Sequence, residues 1–302
     1  MIFALHPLTT QSVTYISSRS SVLATLFYLG ALIFFFKGFK SWKETGEKGW
    51  GLFLGCVACF MLGAFSKETI VTLPAMLFLF HFYFISRDTP KVWIATYSKW
   101  ILLLAIPLLT FVGYKQFIAG GLLSASTAHL PPATWLLTQT SVVPFEYFRK
   151  MLFPFNMNID IDFPILTNWL QPANWMGMVV LGLIIFFWVR ISNRSSEPDA
   201  LEVERRCIGF GMAWILLTFL PTSSFIPLLD VAVEHRTYLP MVGFAFMIAG
   251  GFGFVRNGVV FPASSFSGLK MINLSVILIL LFFSIGVITR NEAWTDEVTL
   301  WN

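Results

Sequence analysis

The sequence predicts an all-α protein, a polytopic bundle of about eight transmembrane helices. Three observations carry that prediction. The mean hydropathy is +0.74, with 56% of residues hydrophobic and only 12% charged, so there is too little polar surface to cover a water-soluble fold. The apolar runs are long and continuous, whereas the strands of a membrane barrel would alternate apolar with polar residues. Aromatic residues make up 17% of the chain, which suits lipid-facing helices and the belts at the two interfaces.

The chain starts at Met1 without a basic region or a small-residue cleavage site of the kind that marks a signal peptide. The stub "IFAL" before His6 reads as the tail of a helix that begins upstream. Eight apolar segments then follow, at residues 20–36, 50–65, 69–85, 100–117, 175–189, 207–228, 239–255 and 271–289. Several sit at or just below the roughly 17 residues needed to cross a bilayer. The segment "TWLLTQTSVVPFEYFRKMLFPF", 134–155, is equally apolar. Counting it as a span would invert every later loop, so it is expected to be a re-entrant or interfacial helix on the outer face, broken near Pro144.

The 20 lysines and arginines mark topology. With the loop "KGFKSWKETGEK" inside, alternation leaves only Arg19, Lys67, Lys115, Arg149, Lys150, Arg236 and Arg290 outside, which satisfies the positive-inside rule. The net charge of +4 is therefore a membrane signal, and no nucleic-acid partner is indicated. Cys56 and Cys59 form a C-x-x-C inside an apolar run; with Cys207 the only other cysteine, no zinc site is implied and they read as small helix residues.

This topology gathers His6, Gln11, Arg19, Lys67, Glu68, Asp160, Asp162, Glu234, His235, Arg236 and Arg290 on the outer face. Ionisable groups at such depth pair with each other, line a wet cavity or bind a charged ligand. Lys67 and Glu68 either snorkel as an exposed pair or meet a ligand phosphate. Asp160 and Asp162, two apart in an extended loop, point the same way, as for a metal or a base, unless they simply form a turn before Pro164. A divalent metal is left open there without further support, and no other cofactor is indicated. His6 before Pro7 reads as a helix-end cap. In "DVAVEHRTYLP", Glu234, His235 and Arg236 form a cluster that a plain connection between helices does not need, although a bracing Glu–Arg pair is the alternative. Arginine suits bidentate phosphate recognition, so Arg19, Arg236 and Arg290 with Lys67 are candidates to bind a lipid-linked phosphate or diphosphate. Tyr238 belongs to the headgroup belt.

Five motifs in order, "FALHPLTTQSVTYISSRSSVLATLFYL", "FSKETIVTLP", "RKMLFPFNMNIDIDFP", "DVAVEHRTYLPMVGF" and "RNEAWTDEVTLW", resemble the membrane part of bacterial tetratricopeptide-repeat membrane proteins. These in turn are similar to the eukaryotic transmembrane-and-tetratricopeptide O-mannosyltransferases of the GT-C superfamily. The resemblance implies a GT-C-like transmembrane domain over 1–302 in a bacterial inner membrane, with its polar site on the periplasmic face. It implies transfer of mannose or a similar sugar from a polyprenyl-phosphate donor to protein hydroxyls. Such transfer needs a carboxylate base for the acceptor and cationic groups for the departing phosphate. In the family the base is an acidic residue of the first outer loop. That loop would lie upstream of Met1, so no catalytic residue is assigned within the chain. A repeat domain able to hold the acceptor polypeptide would follow Asn302. The chain is thus expected to be the central membrane portion, inactive alone, with Arg236 and Lys67 on the donor phosphate and Glu234 orienting Arg236. The competing expectation is a non-catalytic anchor for the repeat domain. A transporter is disfavoured because the charges sit at helix ends and not at the midplane.

Overall fold

The computed structural model describes residues 1–46, 49–86, 88–99, 130–159, 161–193, 201–224, 227–256 and 266–295. A chain of short turns, Ile2–Leu5, Pro7–Thr9, Thr10–Thr14 and Ile16–Ser18, leads into α1 (Arg19–Thr45). There follow α2 (Trp50–Ser66), α3 (Glu68–Ile85) and the helical residues 90–99. A helix over 132–152 is α4; then come α5 (Pro172–Ser192), α6 (Glu202–Phe219), α7 (Pro240–Arg256) and α8 (Phe266–Ala293).

Among the described residues, four helices are long and apolar enough to cross a membrane: Ile16–Thr45, α3, α5 and Asn273–Ala293 of α8. Helices α2 and α7 are shorter and apolar. Helix α1 ends at Gly46, whose φ of 73° is the left-handed conformation that glycine adopts at no steric cost. The predicted span at 100–117 lies outside the described residues. The predicted span at 207–228 is too long: α6 stops at Phe219, and Pro221 in the turn that follows has no N–H to extend the helix.

The predicted break at Pro144 is also corrected. Helix α4 runs on through a π-helical turn, Val143–Phe148. Pro144 has no N–H to give the Thr140 carbonyl and its ring crowds that oxygen, and a wider turn relieves both problems without ending the helix. The Thr140 carbonyl faces α5 at Gly177, where a Cβ would come within 2.3 Å of it. Helices α6 and α7 approach equally closely at Gly211 and Gly243. A Cβ on either would sit 2.4 or 2.6 Å from the other's carbonyl oxygen, so both positions need glycine for backbone contact.

Two buried clusters hold the bundle. In one, Tyr28 of α1, Leu73 and Met76 of α3, and Phe210 and Trp214 of α6 pack together. In the other, Leu8, Tyr147, Met151, Ile215, Phe219 and Met241 join the N-terminal turns to α4, α6 and α7. The Tyr147 and Phe219 rings stack with centroids 5.1 Å apart. This second cluster is the floor beneath the polar end of the molecule.

Candidate functional site

The polar end is organised around the segment 230–238, which enters α7 through the 3₁₀ turn Glu234–Thr237. Helix α4 lies along this segment over several turns. Trp135 sits under the Arg236 guanidinium with 5.8 Å to the ring centroid, and Gln139 donates to the Val231 carbonyl at 2.9 Å. The Tyr147 hydroxyl accepts from the Val233 N–H at 3.2 Å, and Lys150 reaches Glu234 at 3.2 Å. From the other side Gln11 ties two loops at once. Its Oε1 accepts the His235 N–H at 2.7 Å and its Nε2 donates to the Ile159 carbonyl at 2.9 Å. An isolated antiparallel bridge pairs Ile161 with Ala232.

Glu234 is 1% exposed and takes three donors: Arg290 at 2.6 Å, Lys150 at 3.2 Å and the Asn158 N–H at 2.9 Å. Burial pushes its carboxyl up, opposed by Arg290 and Lys150. Lys150 also meets Glu146 at 3.2 Å, and Arg290 donates to the Met157 carbonyl. One carboxylate thereby joins α8, α4 and the loop after α4. This corrects two expectations. Glu234 does not orient Arg236, because two other cations occupy its oxygens. Arg290 is committed to Glu234 and is not grouped with Lys67. Lys150 was counted in the sequence only as an outer topology marker and Glu146 not at all, although a lysine inside the apolar run "RKMLFPF" is the signal that could have assigned them a role.

Arg236, 9% exposed, has no carboxylate partner among the described residues. It donates to the backbone carbonyls of Asp230 at 2.6 Å and Val231 at 3.3 Å. Lys67 stands near enough to feel it: burial and then repulsion from Arg236 lower the Lys67 ammonium, while Glu68 raises it. The Lys67 ammonium donates to the Ser21 hydroxyl at 2.7 Å. Both charges act on His235; burial, Lys67 and Arg236 hold its imidazole down at about 3, so it is neutral at ordinary pH. Its Nδ1 is buried with no hydrogen-bond partner among the described residues. Lys67, His235 and Arg236 thus form an electropositive cluster whose cations bond to hydroxyl and carbonyl oxygens.

The remaining predicted residues fall around this cluster or away from it. Arg19 is exposed at the start of α1, two residues before Ser21. Glu68 is exposed beside Lys67, and Tyr238 is half-buried with its ring edge-on to Phe3, centroids 5.1 Å apart. Asp162 is exposed next to the Ile161 bridge, while Asp160 lies outside the described residues, so the proposed shared direction of the two carboxylates has no geometry behind it. No group of three or more His, Cys, Asp or Glu side chains able to hold a metal occurs among the described residues. His6 is a cap: its Nδ1 accepts the Leu8 N–H at 3.2 Å, which leaves Nε2 to donate to the Met151 carbonyl at 3.0 Å.

Met1 is exposed and brings no chemistry to the polar end; its carbonyl accepts the Ala4 and Leu5 N–H groups, each at 3.0 Å, and so starts the first short turn. The turn spans the four residues Ile2–Leu5 and ends where His6 turns extended, with ψ at 127°.

No family model matches the chain, and no solved structure matches it. Among curated proteins it is similar along its whole length to protein O-mannosyl-transferase TMTC3 of Homo sapiens, at 24% identity and covering 34% of that protein. It is similar over its whole length to Tmtc3 of Drosophila melanogaster, at 22% identity and 36% coverage of that relative. Protein O-mannosyl-transferase TMTC2 of Mus musculus matches more closely but locally, 33% identical over 37% of this chain and 14% of the relative. The chain spans about a third of the length of the first two of these relatives. The resemblance carried by the five sequence motifs is therefore also a whole-chain similarity to protein O-mannosyl-transferases.

Proposed function

We propose that the chain is the GT-C-like transmembrane domain of a glycosyltransferase that moves mannose or a similar sugar from a polyprenyl-phosphate donor to protein hydroxyls. One observation carries this reading: Lys67 and Arg236 stand close enough to His235 to depress its imidazole, and Arg236 has no carboxylate partner among the described residues. Holding two cations together in a largely dehydrated site is costly, and an anion that enters between them recovers the lost charge interaction. A lipid phosphate suits the site, because the cluster lies at the end of apolar helices long enough to cross a membrane. Arg236 supplies a planar fork of donors, Lys67 a mobile ammonium, and neutral His235 a further polar edge. As the sugar–phosphate bond breaks, negative charge grows on the phosphate, and fixed cations stabilise that charge more than they stabilise the ground state. In this reading the cluster faces the extracytoplasmic side of a bacterial inner membrane, with Tyr238 at headgroup level.

The second reading, a non-catalytic anchor, draws support from the Glu234 network, whose charges brace three segments against one another. The two readings separate in a binding assay. The full-length parent protein in nanodiscs is titrated with a short-chain polyprenyl phosphomannose, alongside Arg236→Ala and Lys67→Gln. Loss of about tenfold in affinity for each variant, with melting temperatures held, is expected from removing one charge-assisted contact. Unchanged binding in Lys67→Gln, which disturbs only the bond to Ser21, leaves the anchor reading in place.

A further inference from the structure

At the opposite end of the bundle the structure holds a second feature that the sugar-transfer reading does not use. A cavity of about 690 Å³ opens between α1, α2 and α3, walled by Phe35, Phe39, Phe60, Leu77 and Phe78 with His81 at one side. That volume is in the range of roughly 300–1,000 Å³ typical of ligand sites. Its lining is nearly all hydrocarbon and aromatic, so it offers water too few partners to hold it, and an apolar chain is the occupant its chemistry accepts. His81 fits the same picture. Its Nδ1 accepts the Trp93 indole N–H at 3.2 Å, and since indole can only donate, the imidazole proton sits on Nε2.

A smaller cavity of about 140 Å³ adjoins it, sharing Phe39 and lined also by Phe36, Phe84, Lys40 and Lys43. Both lysines are exposed. Lys40 has a loose partner, Glu44 at 3.8 Å, with both side chains largely in solvent, a contact that a phosphate can displace. Trp42, between the two lysines in sequence, is 43% exposed and lines the larger cavity, as expected where helix end meets headgroups. Cationic side chains at the helix end, beside an apolar cavity walled by α1, α2 and α3, match the two halves of an anionic phospholipid.

We infer that this is a binding site for an anionic phospholipid, one acyl chain lying in the Phe35–Leu77 cavity and the phosphate meeting Lys40 and Lys43. Inside a bilayer the chain gains little from the hydrophobic effect, because the surrounding lipid is equally apolar. Selectivity therefore rests on the lysines, and occupancy on shape. The inference is independent of the donor-phosphate proposal, since no residue is shared with the Lys67, His235 and Arg236 cluster.

The test is lipid retention. The full-length protein is reconstituted in nanodiscs of equal parts phosphatidylglycerol and phosphatidylcholine, extracted in mild detergent, and its bound lipid counted by native mass spectrometry. The expected result is retained phosphatidylglycerol in preference to phosphatidylcholine. The preference falls roughly tenfold when Lys40→Gln and Lys43→Gln are combined, since each surface lysine near an anionic lipid contributes a severalfold factor. Leu77→Trp, which fills the cavity, should lower retention of both lipids. If that variant does not purify as a single species, Val57→Phe at the exposed lip makes the same test. Equal retention of the two lipids by the unaltered protein, or a preference untouched by the lysine pair, would overturn the assignment. So would retention that survives filling of the cavity.

Discussion

Replacing Glu234 by alanine removes a carboxylate that is 1% exposed and faces two cations. Breaking a buried ion pair by deleting one partner costs roughly 3–5 kcal/mol, most of it the penalty on the charge left behind. The structure sets the value within that range. Lys150 keeps Glu146 at 3.2 Å, and the Arg290 guanidinium keeps the Met157 carbonyl, so neither cation is stranded completely. The Asn158 N–H does lose its acceptor. About 3 kcal/mol is the expected loss, which at roughly 2–4 °C per kcal/mol for a domain of this size lowers the melting temperature by about 10 °C. Intrinsic tryptophan fluorescence during heating in detergent micelles measures it. The sharper comparison is the triple change Glu234→Leu, Lys150→Met and Arg290→Met, which removes all three charges together. It should recover much of the loss, because apolar replacement of a whole buried network is often close to neutral. If Glu234→Ala melts within a degree or two of the unaltered protein, or the triple change is worse than the single one, the network does not brace the polar end as described.

The other predictions follow from particular contacts. Burial holds His6 down at about 4 against an ordinary 6.5, so the unfolded chain binds more protons between those values and stability rises with pH across that window. The His6 contribution is fully present above about pH 6.5 and is lost toward pH 4, amounting to about 3 kcal/mol; melting curves from pH 4.5 to 7 should show the slope, and His6→Gln should reduce it without abolishing it, because His235, held down at about 3, adds a slope of the same sign. Gly211→Ala places a methyl 2.4 Å from the Gly243 carbonyl and should cost about 2 kcal/mol by forcing α6 and α7 apart, read as a lower melting temperature. Gln11→Leu severs its bonds to His235 and Ile159. Hydrogen exchange at the His235 amide should then rise by about tenfold while the amides of α6 stay unchanged.

Much of the architecture is legible in the sequence because a bilayer makes one demand of every backbone group: it must be satisfied within its own segment, so a long apolar run becomes a helix. The runs at 20–36, 69–85 and 175–189 each fall within an observed helix long enough to cross. Local chemistry was equally readable where the partners are near in sequence, as with His6 capping the turn at Leu8. The end of α6 at Phe219 was not, because the apolar pattern continues past Pro221 and hides where the backbone turns. Neither was the route of α4 through Pro144, since a proline breaks, kinks or widens a helix according to what packs beside it, here Gly177 of α5.

The outer residues divide along the same line. Their types are plain in the one-dimensional pattern of charge against hydropathy, and that pattern marked Glu234, His235 and Arg236 as worth explaining. Which charges cancel is a matter of pairing across 84 residues for Lys150 with Glu234 and 56 for Arg290 with Glu234. No local signal encodes those pairings, because adjacent residues on a 3₁₀ turn point in different directions. Glu234 consequently meets Lys150 near the end of α4 and Arg290 of α8, while Arg236 lies over Trp135 near the start of α4. Tertiary packing alone thereby decided that the glutamate two residues before Arg236 is spent elsewhere, and left the arginine bonded to backbone carbonyls with no carboxylate partner among the described residues.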